Sequence, residues 1–175
     1  MVIVMIGVMA ALATPTFINV MRDRRVSQGA LRAAEVFRLA RSHALGRGSA
    51  VMVTWTEAAA GEGSLLVREA TELGTNLPAN NCTTNNWNNP PNARQLVLVL
   101  FAKGDFGLAE FTMSDSSGPL ASADICFSPR GRAFYRTTGG WAPLAEVPKF
   151  EVTNSKTGMK RFIYVPPNGV ARLVL

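Results

Sequence analysis

The sequence is poor in the side chains from which metal and catalytic centres are usually built. It has one histidine, His43, and two cysteines, Cys82 and Cys126, in 175 residues. A structural zinc site, which takes a full set of Cys or His ligands, is therefore not expected. The sequence also lacks a Gly-x-Ser-x-Gly elbow, a Gly-x4-Gly-Lys phosphate loop and a Gly-x-Gly-x-x-Gly fingerprint. We expect neither an enzyme nor a protein with a cofactor.

Charged residues are also scarce, at 17% of the chain against roughly 25% in an average soluble domain. The hydrophobic content of 47% excludes a disordered chain. The charges are segregated: residues 22–47 carry seven arginines against two carboxylates, residues 48–125 carry three basic against eight acidic groups, and residues 126–175 carry eight basic against two acidic groups. This pattern indicates contacts with anionic partners (lipid headgroups, nucleic acid or an acidic neighbouring surface) or serves solubility alone.

A long run without charge opens the chain, from Met1 to Met21. As a helix it would span about 32 Å, close to the roughly 30 Å of a bilayer core. Three interpretations compete: a retained membrane helix, a secretory signal cleaved near Ala11-Leu12-Ala13, and a buried core helix. The absence of a basic segment before the apolar run favours retention.

The helical pattern also continues beyond the possible cleavage position, which again favours retention. Small and apolar residues recur at spacings of four and three on one stripe. They are Val26, Ala30, Ala33, Phe37, Ala40 and Ala44. We predict one helix from near Met1 to about Leu45, kinked at Pro15 and ended by Gly46 and Gly48. The predicted divisions are a transmembrane half at 1–21, an amphipathic half at 22–47 and a β-rich domain at 48–175.

The N-terminal helix resembles that of type IV pilins and type II secretion pseudopilins. The matching elements are Gly7, the Ala10-Ala11 pair, and Pro15 followed by Phe17. The rest of the chain resembles the FimT/GspH branch, the minor pilins and H-type minor pseudopilins. Members of this family begin with a basic leader and carry a glutamate early in the helix. We therefore expect the sequence to begin just inside the mature helix.

The resemblance implies a minor pilin or minor pseudopilin, a structural subunit of a type IV pilus or of a type II secretion pseudopilus. It implies a single-pass inner-membrane protein whose globular domain lies in the periplasm. Its expected partners are other subunits, through the N-terminal helix, and inner-membrane lipid. The alternative is a minor pilin that binds DNA weakly and without sequence preference during natural transformation. A third possibility is a secreted β-domain with a cleaved signal.

After Gly48 the hydrophobic period changes to that of β-strands. Residues 50–55 and 64–69 predict a hairpin, and the apolar stretch 95–102 predicts a central strand. Six shorter strands are predicted at residues 109–113, 124–128, 133–136, 150–153, 161–165 and 170–175. Many short strands after one long helix predict an α+β fold, pilin-like, with antiparallel sheets packed on the helix.

Residues 80–92 contain seven asparagines, Trp87 and a Pro-Pro pair, which predicts an exposed loop. The loop is either a contact surface anchored by Trp87 or a tolerated insertion. It also contains Cys82. In the oxidising periplasm a disulfide between Cys82 and Cys126 is predicted, the alternative being two unrelated thiols.

The basic C-terminal third supplies the residues for the DNA-binding alternative. Alternation along a strand places Arg132, Phe134 and Arg136 on one face, where arginines can bind phosphates and the aromatic ring can stack on a base. DNA-binding relatives carry a Gly-Arg-x-Arg motif near the C-terminus. Here that motif reads Gly-Val-Ala-Arg, ending at Arg172. The predicted DNA contacts are Arg130, Arg132, Arg136, Lys160 and Arg172.

Overall fold

The computed structural model describes residues 2–59, 61–72, 77–83, 86–88, 92–102, 104–106, 109–137, 139–145, 147–168 and 170–174, with the side chains of the helix described from Phe17 onward. Over these residues the chain forms one long helix, α1 (Val2–Arg47), followed by eleven strands. The strands are β1 (Val51–Ala59), β2 (Glu62–Ala70), β3 (Ala93–Phe101), β4 (Ala109–Asp115), β5 (Gly118–Leu120), β6 (Ser122–Phe127), β7 (Ala133–Arg136), β8 (Ala142–Pro143), β9 (Lys149–Asn154), β10 (Lys160–Tyr164) and β11 (Arg172–Val174).

Helix α1 ends at Arg47, two residues beyond the predicted Leu45, so Gly46 lies within the helix and Gly48 ends it. Gly48 adopts a left-handed backbone conformation, with φ of +69°, and its N–H donates to the carbonyl of Ala44 over 3.1 Å. This is a glycine C-cap, which satisfies a carbonyl that the last helical turn would leave unpaired. The kink predicted at Pro15 lies outside the residues whose side chains are described.

The strands form two antiparallel sheets within the described part of the chain. The six-stranded sheet has the order β3-β2-β1-β6-β7-β8, and the five-stranded sheet has the order β11-β10-β9-β4-β5. The predicted hairpin is present, with Val53 opposite Val67 in the β1–β2 pair. The predicted α+β class, a long N-terminal helix packed on antiparallel sheets, is confirmed.

The prediction that residues 95–102 form a central strand is wrong. Strand β3 lies at the edge of the six-stranded sheet. One of its faces is buried, with Val99 and Phe101 at 7% and 1% exposure, while Leu98 and Leu100 are 48% and 62% exposed. An apolar strand buried on both faces and an apolar edge strand have the same hydrophobic pattern. Only the pairing of the strands distinguishes them.

The core lies between α1 and the two sheets. All six residues of the predicted helix stripe are buried in it. Aromatic rings join the sheets: the rings of Trp55 on β1 and Phe150 on β9 lie 5.0 Å apart, and those of Phe101 on β3 and Phe111 on β4 lie 4.6 Å apart. Gly29 lets the helix approach this cluster, because a Cβ there would lie 3.0 Å from the Phe111 ring.

Candidate functional site

The N-terminal part of α1 carries apolar side chains that no part of the described domain covers. Phe17, Ile18, Val20 and Met21 are 67%, 43%, 47% and 41% exposed. Residues 17–21 are all exposed, and five consecutive positions go once around a helix, so the β-domain covers no side of this stretch. Such a surface is typical of a site for protein or membrane contact. Over the residues that the structure describes, no helix has the length and apolarity of a membrane span.

The helix becomes fixed to the domain immediately after this exposed stretch. The carboxylate of Asp23 accepts hydrogen bonds from Asn154 Nδ2 at 2.8 Å and from Thr157 Oγ1 at 2.7 Å. Asp23 therefore joins the helix to the turn between β9 and β10. Further along, Arg38 Nε donates to the carbonyl of Ala171 at 3.3 Å. Similarly, Arg41 Nε donates to the carbonyl of Asn168 at 3.1 Å. These contacts hold the second half of α1 rigidly on the β-domain.

A buried carboxylate holds the C-terminal end of the helix. Glu69, on β2, is 1% exposed and accepts a hydrogen bond from Ser49 Oγ at 2.9 Å. It also pairs with Arg47 Nε at 3.2 Å and with Arg94 Nη2 on β3. His43 Nδ1 lies 3.9 Å from the same carboxylate. The lone histidine of the sequence thus belongs to a cluster that joins the helix end to two strands.

The pKa of Glu69 reflects this environment. Burial alone would raise the pKa, but the hydrogen bonds from Ser49 and Arg94 and the positive charges of Arg94 and Arg47 outweigh burial and lower it below its ordinary value of 4.5. Because the pKa is lower in the folded chain than in the unfolded one, the ionised Glu69 stabilises the fold above the unfolded pKa. That contribution is lost as the pH falls through the folded pKa.

We expect Glu69→Gln to lower the free energy of unfolding by about 2 kcal/mol at neutral pH, because charge-assisted hydrogen bonds are lost at a buried position. The difference from wild type should begin to shrink as the pH falls below about 4.5 and should be lost as the pH falls through the lower pKa of folded Glu69, where its carboxyl becomes neutral. Urea unfolding at stepped pH values measures both effects. Glu35→Gln, at a carboxylate with 63% exposure, is the control and should change stability by less than about 0.5 kcal/mol. A difference for Glu69→Gln that is constant from pH 7 to pH 3 would contradict the prediction.

The predicted disulfide is confirmed: Cys82 and Cys126 are bonded. It lies in a second small core on the face of the six-stranded sheet that points away from the helix. The buried members of this core are Ala50, Met52, Ala70, Cys82, Trp87 and Cys126.

Residues 80–92 were predicted to form an exposed loop. For Cys82 and Trp87 this prediction is wrong. Cys82 and Trp87 are 2% and 3% exposed. The indole N–H of Trp87 donates to the carbonyl of Cys82 at 3.1 Å, and Arg68 Nη1 donates to the carbonyl of Trp87 at 2.9 Å. Trp87 is therefore part of the protein's own packing rather than a contact anchor. The disulfide draws this asparagine-rich segment onto the sheet, which composition alone does not indicate.

Beside the disulfide lies a polar cavity of about 320 Å³. Its walls come from two segments, residues 80–82 and the turn between β6 and β7. They consist of Asn80, Asn81, Cys82, Ser128, Pro129, Arg130, Arg132 and Phe134.

The five side chains predicted for DNA contact do not form one surface. Arg136 is ion-paired with Asp124, with Nη2 and Nε at 2.6 and 2.9 Å from Oδ2, and it stacks on Trp141. Lys160 pairs with Glu151 at 2.7 Å. Arg172 lies on β11, in the other sheet. Only Arg130 and Arg132 lie together, at the polar cavity. Arg132, Phe134 and Arg136 were predicted on one face of a strand. Phe134 and Arg136 lie on β7, opposite Cys126 and Asp124, whereas Arg132 precedes the strand.

Strand β3 and the helix together expose a second apolar surface. The outward side of β3 carries Leu98 and Leu100. Next to the strand, Val36, Leu39 and Val97 line a hollow of about 370 Å³ whose rim carries Arg32, Glu35 and Arg38. No described strand pairs with the outer edge of β3, so the edge exposes both apolar side chains and backbone hydrogen-bonding groups.

Sequence reasoning missed the Glu69 cluster and the Asp23 anchor. Neither has a motif: Glu69 lies in an ordinary strand sequence, and Asp23 stands among arginines that suggest an interface with solvent. The partners of both carboxylates are distant in the chain, up to 134 residues for Thr157.

The fold and these surfaces define an α+β protein with a projecting N-terminal helix and a disulfide-closed β-domain. No family model and no curated protein matches the chain. Among solved structures it is similar to the type IV minor pilin FimU of Pseudomonas aeruginosa strain PAO1 in two crystal forms. The P65 form matches with a TM-score of 0.49 and 14% identity over 85% of this chain and 92% of FimU. The P21 form matches with a TM-score of 0.49 and 14% identity over 87% and 89% of the two chains.

Proposed function

We propose that this chain is a minor pilin or minor pseudopilin, a structural subunit, rather than an enzyme, that assembles into a type IV pilus or a secretion pseudopilus. The observation that carries the proposal is the exposed apolar stretch of α1 at Phe17, Ile18, Val20 and Met21. Four exposed apolar side chains on one short stretch of helix are unfavourable in water unless other apolar surfaces cover them. In a filament the helices of neighbouring subunits supply that cover.

The sequence before Phe17 supports the same role. It continues the charge-free run to Met1 and contains the Gly7, Ala10-Ala11 and Pro15 elements of the pilin-type helix. Before assembly, the bilayer of the inner membrane would surround this segment. The arginines at 22, 24 and 25 would then lie at the lipid headgroups. The β-domain that follows them would lie in the periplasm. An oxidising periplasm agrees with the disulfide between Cys82 and Cys126.

The part of α1 from Asp23 onward is held on the β-domain, so the domain would be carried into a filament together with the helix. The buried stripe and the Asp23 and Glu69 anchors leave it little freedom to swing relative to the sheets. The β3 edge and the hollow beside Leu39 are the apolar surfaces that the domain itself offers to neighbouring subunits.

Ile18→Asp tests the proposal. A charge on the exposed apolar stretch must be desolvated when neighbouring helices cover it, so we expect incorporation into sheared filaments to fall at least about tenfold. The measurement is the amount of this chain in the filament fraction relative to the membrane fraction. The control is Gln28→Asp, which introduces the same charge at an exposed position on the part of α1 that packs on the β-domain. It should leave incorporation unchanged.

The same variants distinguish the two assemblies. Loss of surface pili with Ile18→Asp identifies a minor pilin, whereas loss of secreted enzymes with normal pili identifies a minor pseudopilin. Equal incorporation of Ile18→Asp and wild type would contradict the assembly role altogether.

A further inference from the structure

The polar cavity beside the disulfide has the size and the lining of a small-ligand site. Its volume of about 320 Å³ lies at the lower end of the roughly 300–1,000 Å³ range of ligand pockets. The lining combines two guanidinium groups, two amide side chains, a hydroxyl and an aromatic ring, and it contains no carboxylate. A site with this composition attracts an anion.

Arg130 and Arg132 are the cationic groups of the site, and both side chains are exposed. Neither guanidinium is ion-paired with a carboxylate within the described part of the chain. The neighbouring Arg136 differs, because Asp124 neutralises it. Unpaired arginines beside a cavity can form the bidentate hydrogen bonds that a phosphate accepts.

The turn that carries these arginines is held in shape by its own backbone. The N–H of Ser128 donates to the carbonyl of Arg132 at 2.8 Å, and the N–H of Gly131 donates to the carbonyl of Ser128 at 3.0 Å. Gly131 has a φ of +78°, a conformation that favours glycine. The two guanidinium groups therefore stand on a preorganised hairpin, which lowers the entropic cost of binding.

The opposite wall supplies hydrogen-bond donors and depends on the disulfide. The side-chain oxygen of Asn81 accepts from both the N–H and the hydroxyl of Thr83 at 2.9 Å, so its NH₂ group is the part available to a ligand. Cys82 is itself a lining residue, and its bond to Cys126 holds this segment against β6. Phe134, on the strand after the turn, adds an aromatic ring to the lining.

We propose that this cavity binds one nucleotide, with the phosphate on Arg130 and Arg132 and the base against Phe134 and the asparagine amides. The nucleotide comes either from the free pool or from a single strand of nucleic acid, since both present an unpaired base beside a phosphate. A base inside a duplex cannot reach Phe134. The site is separate from the exposed helix stretch, so the proposal does not rest on the assembly role.

The test is calorimetric titration of the oxidised full-length protein in detergent with thymidine monophosphate, a ten-residue oligothymidylate, the matching duplex, inorganic phosphate and glucuronate. Thymidine monophosphate or the oligothymidylate should bind more tightly than the duplex, phosphate or glucuronate. Tighter binding of the oligothymidylate than of the mononucleotide assigns the site to single strands, and equal binding assigns it to free nucleotides.

The variant Arg130→Gln/Arg132→Gln should weaken the binding of the favoured probe at least about tenfold, because both charge-assisted contacts are lost. The matched control is Arg24→Gln/Arg25→Gln, which removes the same charge from an exposed pair on α1 and should change affinity less than about twofold. Reduction of the disulfide should weaken binding in wild type. Equal losses in the two double variants, preference for duplex or glucuronate, or no binding of either nucleotide probe would overturn the proposal.

Discussion

Phe37→Ala is expected to lower the free energy of unfolding by about 3–5 kcal/mol. Phe37 is 1% exposed and belongs to the stripe through which α1 meets the β-domain. Its neighbours in the stripe are mostly alanines, which bury little apolar area each, so this one ring contributes a large share of the contact. Its removal leaves a cavity between a helix and sheets that the Asp23 and Glu69 anchors prevent from collapsing. Urea unfolding of the full chain in detergent, followed by the signal of the β-domain, measures the effect.

Leu39→Ala is the matched control for this prediction. Leu39 lies two residues further along the same helix and is 44% exposed. Truncating it should cost less than about 1 kcal/mol, because much of its surface is already in water. The ratio of the two effects tests the orientation of the helix on the domain. If Leu39→Ala destabilised the protein as much as Phe37→Ala, the buried stripe would be assigned to the wrong face.

Removal of the disulfide is expected to lower the free energy of unfolding by about 4 kcal/mol, the loop-entropy value for a sequence separation of 44 residues. The loss should be concentrated in the second small core, because Trp87 is held there through the carbonyl of Cys82. Reduced wild type and the variant Cys82→Ala/Cys126→Ala should unfold at similar urea concentrations, both well below that of the oxidised protein.

The reductant provides the control for this measurement. It should shift the unfolding midpoint of wild type and leave that of the double alanine variant unchanged, which separates the loss of the cross-link from any effect of the substitutions. A wild-type midpoint that is the same under oxidising and reducing conditions would show that the cross-link does not constrain the unfolded chain.

Local patterns in the sequence were sufficient for the elements of this fold. The long helix follows from spacing of small and apolar residues and its end from Gly48, and each needs information from only a few neighbouring positions. The predicted strands are present with shifts of a few residues at their ends. Two strands were missed, β5 and β8, because both are very short and contain a proline, which weakens any strand pattern.

The pairing of the two cysteines also followed from the sequence, since the resemblance placed both in an oxidising compartment and the chain offers no other partner. The residues predicted for DNA contact are not tested by the fold, but their surroundings could not be read from the sequence. Charge counts identify Arg136 and Lys160 as basic residues, but they do not show that Asp124 and Glu151 neutralise them from adjacent strands.

By itself, then, the sequence predicted the helix, its buried stripe and the strands, because each is encoded by residues close in the chain. It also predicted the disulfide, because the chain has only two cysteines that can pair with each other. The tertiary structure alone decided that β3 is an edge, that Trp87 is buried, that Glu69 holds the helix end, and that Arg130 and Arg132 line a cavity with Asn80 and Asn81. The physical reason is the same in each case. Burial, ion pairing and edge exposure are set by which distant segments meet, and the energies of those contacts leave no local pattern in the residues that make them.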